Sequence, residues 1–144
     1  MLFKRKRTNQ IERQYTDIVA AARNPVLYTD YNVPDTPAGR FQMITLHAVP
    51  YMLAYGDVND GKSSQTLFNM IFADIELSFR EIGVGDLSVP KKMKAFMKDF
   101  NGVLQAHAAE NSDHVMVTQK NVFGDEGHIE KPFAKYIQGL FDAK

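Results

Sequence analysis

The sequence predicts an all-α protein, a single-domain helical bundle of about five to seven helices around a central antiparallel helical hairpin. Three observations carry this. Every strong apolar pattern in the chain repeats with helical period, and none alternates over a strand's length. Residues 67–98 read as helix, tight glycine turn, helix. Threonine, proline and glycine stand where helices start and stop, at Thr36-Pro37, at Gly83 and at Ser88-Val89-Pro90.

The chain opens on Met1-Leu2-Phe3-Lys4-Arg5-Lys6-Arg7, which has charge but no apolar period. Residues 1–8 therefore read as a basic tail, and the domain as 9–144. Such a tail is either a solvated end or a contact for anionic lipid or RNA. The first helix is expected from about residue 9 to residue 23, with Asn9 and Glu12 as a capping box. Ile11, Tyr15, Ile18 and Ala22 share one face, and Asn24-Pro25 stops the helix. A short helical turn carries Val26, Leu27 and Tyr28, and Tyr28 and Tyr31 read as the rim of the core.

Thr36 is the N-cap of the next helix and Pro37 its first residue, where no amide donor is needed. This helix should run to about Tyr55. Its wheel is apolar almost all round, which predicts burial on several sides, and Pro50 inside it removes one backbone bond. Residues 56–62 form a turn-rich loop without the glutamate that a calcium loop needs. Ser63 or Ser64 then caps the first hairpin helix, whose broad face holds Leu67, Phe68, Ile71, Phe72, Ile75, Phe79 and Ile82. Gly83 suits a left-handed helix end, and Gly85 keeps the turn tight. Ser88 caps the second hairpin helix, whose stripe is Met93, Phe96, Met97, Phe100, Val103 and Leu104, ending near Glu110. Residues 114–122 read as one or two helical turns or a short strand. A last helix from about residue 129 to 143 presents Phe133, Ile137, Leu140 and Phe141.

Composition narrows the function. The 144 residues imply one domain, and 17 basic residues balance 17 acidic ones, without the surplus a dedicated nucleic-acid binder carries. Without cysteine there is no disulfide, no thiolate nucleophile and no Cys-based zinc site. No apolar run approaches the ~18 residues of a membrane span. No apolar stretch of a secretory signal follows the basic start, and Glu12 and the first core stripe come too soon for a transit peptide. The expected compartment is the cytoplasm, with peripheral contact at the cytoplasmic membrane as an extension of it.

No catalytic set emerges. Gly83-Val84-Gly85 lacks the third glycine, the lysine and the preceding strand of a phosphate loop. The four histidines do not have metal-ligand spacing, and no cofactor is implied. Two sets remain as partner-binding candidates. Lys91, Lys94 and Lys98 share a face of the second hairpin helix, either simply solvated or docked on an acidic partner, a ribosome or phospholipid heads. Arg40, His47, Asp74, Arg80, Glu81 and Asp86 lie beside core residues, and charges so placed pair. They form either a structural ion-pair network or a partner-recognition site. Arg40, on the strip shared with His47, is expected to pair with Asp74, Glu81 or Asp86. An enzyme would instead need Asp74, Glu81 and His47 joined in one deep polar pocket.

Val33-Pro34-Asp35-Thr36-x-x-Gly39-Arg40-Phe41, Leu46-His47, and the long block Phe72-Ala73-Asp74-Ile75-Glu76-x-x-Phe79-Arg80-Glu81-Ile82-Gly83-Val84-Gly85-Asp86-Leu87-Ser88-Val89-x-Lys91-Lys92-Met93-Lys94 resemble the ubiquinol–cytochrome c chaperone family. The resemblance extends from about Tyr15 into the last helix. It implies a non-enzymatic chaperone or assembly factor for ubiquinol–cytochrome c reductase, the respiratory complex III. The partner it implies is a protein client, cytochrome b or a related membrane subunit, or a small partner protein. Contact with a ribosome or the inner membrane is a further implication. The lack of a transit peptide suggests a bacterial member.

Overall fold

A computed structural model describes residues 2–81, 83, 85 and 88–143. Its elements are α1 (Leu2–Ala22), α2 (Val26–Thr29), α3 (Pro37–Asp57), α4 (Gly61–Glu81), α5 (Val89–Ala108), α6 (His114–Phe123) and α7 (Lys131–Asp142), with no strand among the described residues. The expectations for Ile82, Val84, Asp86 and Leu87 lie outside those residues.

The start of α3 follows the sequence closely. Thr36 is extended and its hydroxyl accepts the Gly39 amide at 3.0 Å, with Pro37 in the first turn. An N-cap of this kind contributes about 1 kcal/mol. Gly39 is required for a second reason: a Cβ there would lie 1.9 Å from the carbonyl oxygen of Pro34. The chain before the helix is thus pressed onto its first turn, and only a glycine admits it. Gly83 takes φ +83° and donates its amide to the Arg80 carbonyl at 3.2 Å, the left-handed helix end that its position predicts.

Four boundaries differ from the sequence reading. The first helix begins at Leu2, and Asn9 lies inside it, so the proposed capping box has no terminus to cap. Lysine and arginine are good helix formers, and a helix anchored by buried Ile11 and Ile18 extends through them without needing an apolar stripe. Asp60, rather than Ser63 or Ser64, caps α4: its carboxylate accepts the Ser63 amide at 3.1 Å and the Ser63 hydroxyl at 2.6 Å. Those hydrogen bonds hold the Asp60 carboxyl below its ordinary pKa. Ser88 precedes α5 in helical conformation, and its side chain makes no cap bond. Residues 114–123 are a full helix, set by Asp113, whose carboxylate accepts the Val115 and Met116 amides at 3.1 Å each.

Side-chain pairs give the helix directions. Tyr55 near the end of α3 donates to Gln14 of α1, while Pro37 and Ala22 line one cavity, so α1 and α3 are antiparallel. Tyr15 donates to Asp74, and Arg7 acts electrostatically on Asp60, so α1 and α4 run parallel. Phe68 meets Phe100 and Phe79 meets Phe96, which makes α4 and α5 the antiparallel hairpin. Helix α3 packs against α1, α4, α5, α6 and α7. It is buried from Gly39 to Met52 over most of its surface, as its all-round apolar wheel predicts. Two clusters result. One joins α1, α3, α4 and α5 around Ile18, Phe41, Phe72 and Phe100. The other joins α2, α3, α6 and α7 around Leu27, Met43, Phe133 and Ile137. Helix α4, the first helix of the hairpin expected to be central, is buried on one side only and leaves Leu77 55% exposed.

Candidate binding groove

The parallel helices α1 and α4 pass over the start of α3, and a groove of about 620 Å³ opens between them. That volume is within the range of ligand pockets, roughly 300–1,000 Å³. Its walls are apolar: Val19 and Ala22 on α1, Phe41 and Ile44 on α3, Ile71, Ile75 and Phe79 on α4, with Phe96 of α5 behind. Exposed Leu77 forms part of the lip. The α4 face is broad in sequence because it serves both the core and this groove.

Polar groups sit on the rim. Half-buried Tyr15 donates its hydroxyl to the Asp74 carboxylate. Burial, and then the bond to Asp74, push the Tyr15 phenol well above its usual pKa, so it remains a donor. Arg23 opposes that shift, which places its charge within reach of the same hydroxyl. Tyr28 donates to the Ala22 carbonyl at 2.7 Å, and the Arg40 guanidinium lies 5.7 Å from the Tyr28 ring centre. Tyr28 thus ties the end of α1, next to Arg23, to the start of α3, where Arg40 lies, and both arginines line this mouth.

The structure separates the six-residue set predicted as one cluster. Among the described residues Arg40 pairs with neither Asp74 nor Glu81. Its Nε pairs with Asp35 at 2.7 Å, both side chains 58% exposed. The reason is local: the capped turn returns Asp35 beside Arg40, and the guanidinium takes this neighbour while it lies over the Tyr28 ring. Asp74 shares the groove with Arg40. Arg80 pairs with Glu76 at 3.0 Å on the solvent side of α4, and Glu81 is exposed. Asp86 lies outside the described residues. Lys91, Lys94 and Lys98 are all exposed on α5.

His47 lies two turns along α3 from Arg40, packed against Tyr136 of α7 and only 4% exposed. Its Nδ1 is 2.6 Å from the Met43 carbonyl and its Nε2 is 2.5 Å from the Tyr136 hydroxyl. A carbonyl only accepts, so Nδ1 carries the proton and Nε2 accepts from Tyr136. His47, Asp74 and Glu81 therefore share no pocket. Among the described residues no group of three or more His, Cys, Asp or Glu is gathered as a metal would require. Sequence spacing left His107 and His114 apart, but in the fold they approach to 2.9 Å between their Nδ1 atoms, under Phe141. The loop between α5 and α6 closes that distance, and spacing along the chain does not reveal it.

The ubiquinol-cytochrome C chaperone family matches residues 29–116. The chain belongs to that family. The match takes in α3, α4 and α5, hence the floor of the groove and one of its walls. The α1 wall precedes it. A crystal structure of the Cbp3 homolog from Brucella abortus superposes with a TM-score of 0.73 at 29% identity, covering 99% of this chain and 88% of that one. No curated protein sequence matches the chain. Two stretches that resemble the family, 33–41 and 72–94, meet in space at the groove: the first supplies Pro37, Arg40 and Phe41, the second Asp74, Ile75, Ser78 and Phe79. Tyr15, Arg23 and Tyr28 complete the rim. The helical spacing of Ile11, Tyr15, Ile18 and Ala22 showed the face of α1, but the groove it borders exists only in the folded chain.

Proposed function

We propose that this chain is a non-enzymatic chaperone in the assembly of ubiquinol–cytochrome c reductase, and that its groove holds an apolar segment of the client, cytochrome b or a related membrane subunit. Membership of the ubiquinol-cytochrome C chaperone family supports the role. The observation that carries the site is the convergence of the two stretches that resemble the family on one open, apolar-walled groove. A membrane subunit before insertion exposes apolar helices that water does not tolerate, and a half-open apolar groove lowers that cost while the segment waits. The rim arginines are exposed, where they can meet a charged group of a bound segment.

A photoreactive residue at Ser78, inside the groove, should crosslink to newly made cytochrome b in membranes that contain the enzyme complex. The same residue at Lys120, on α6, should not. Equal labelling from both positions would refute the groove as the client site. One observation favours a second reading, docking on a membrane or ribosome: Arg5, Lys6 and Arg7 are exposed on a formed helix, and Lys91, Lys94 and Lys98 are exposed on α5. Flotation with anionic vesicles tests it, and charge removal at Lys91, Lys94 and Lys98 should then release the protein. Among the described residues no helix is long and apolar enough to cross a membrane.

A further inference from the structure

We infer that the groove selects a client helix bearing one acidic side chain among apolar ones, with its carboxylate seated at the Arg23–Arg40 mouth. This rests on the groove being the client site. Two parallel helices over a third leave the outline of a further helix, the form in which apolar segments commonly enter such grooves. The charge on the lining is uneven: Arg23 and Arg40 stand against the single carboxylate of Asp74. Asp74 already accepts the Tyr15 hydroxyl, whereas Arg23 has no ion-pair partner among the described residues. Pro37, the first residue of α3, lines the same mouth, so the positive end of that helix adds to the two guanidiniums.

Arg40 is free to change partners at little cost. Its bond to Asp35 is between two exposed side chains, a kind of pair worth ~0–1 kcal/mol. A carboxylate on a bound helix would be partly withdrawn from water, where a guanidinium fork binds it more strongly than at an open surface. Tyr28 keeps the fork in place by lying under it and by its own bond to the end of α1. A lysine carried into the same position would face two like charges in a partly apolar setting, so the mouth rejects as well as attracts.

The test uses the full chain and three fluorescent, end-blocked peptides of about 16 residues, long enough to hold a helix. They are leucine- and alanine-rich and differ at one central position, which is glutamate, glutamine or lysine. Anisotropy should place glutamate first and lysine last, separated by at least about tenfold in Kd. The double variant Arg23→Glu, Arg40→Glu, both at exposed positions, should reverse that order, with circular dichroism confirming that it folds. Equal binding of all three peptides, or an order that survives the double variant, overturns the acidic selection. Ser78→Trp, which fills the groove, separates the two levels. Equal binding that this variant abolishes leaves the groove standing as the client site, whereas binding that it does not touch removes the groove itself.

Discussion

His47 and Arg40 leave the same helix and meet opposite conditions. His47 is driven into the seam between α3 and α7, where its ring nitrogens face the Met43 carbonyl and the Tyr136 hydroxyl. Arg40 stays in water and holds Asp35 across an exposed turn. A buried polar group must have its partners, because leaving one unsatisfied costs about 1–3 kcal/mol, and so its geometry is committed to the fold. An exposed pair of small net value can be exchanged for another. The stretch of α3 against α7 is therefore structure, and its start, at the groove, is available for recognition. Polarity on a helical wheel does not distinguish them, since both residues lay on the same strip.

The largest test lies at the boundary between the two regions. Gly39→Val should cost about 3 kcal/mol or more, because the new side chain meets the Pro34 backbone and must push the start of α3 off its seat. A chemical denaturation curve checks it, and an unchanged midpoint would show that residues 33–36 can move away freely. Next, His47→Leu should cost about 1–3 kcal/mol by leaving the Tyr136 hydroxyl and the Met43 carbonyl short of a partner. Tyr136→Phe should couple to it in a double-mutant cycle, and strict additivity would dissolve the seam as described.

The His107–His114 pair tests the structural side by pH. Burial, and then the neighbouring His114, push His107 down to about 4. A group with a folded pKa below its unfolded one, ordinarily ~6.5, lends stability that is fully present above about pH 6.5 and is lost as pH falls toward 4. His114 is also lowered by burial, opposed by Asp113 and Asp142. Melting temperature should thus decline from pH 7 to pH 4.5, and His107→Gln should remove part of that slope, on the order of 1–2 kcal/mol after solvent screening. A slope identical in the variant would clear His107 of the effect. The smallest change belongs to the groove: Arg40→Ala should alter stability by no more than ~0–1 kcal/mol while weakening capture of an acidic peptide. A large loss of stability would place Arg40 with His47 as a fold residue.

Features read correctly from sequence were those fixed by neighbours in the chain. The Thr36 cap, the Gly83 turn, the hairpin and the burial of α3 follow from capping atoms, φ and period. The misreadings have equally physical causes. A charged start without apolar period looked like coil, although its lysines and arginines extend a helix anchored at Ile11. Asp60 outcompeted two serines for the cap because a carboxylate accepts two bonds at once. Arg40 was assigned to distant acids because its nearest one, Asp35, approaches only once the turn before the helix has formed. The groove was the least visible feature, since its walls come from helices that meet only in three dimensions.

The bond from Tyr15 to Asp74 spans 59 residues of chain. During synthesis α1 is made first, yet the helix that completes its side of the groove follows only after α2 and α3. Contacts of such sequence separation form late and slow the folding of small domains. Until α4 is available, α1 packs on α3 alone, and neither wall of the groove has the other. Under the proposed role, client capture is thereby tied to completion of the fold: a partial chain displays apolar surface but has no groove.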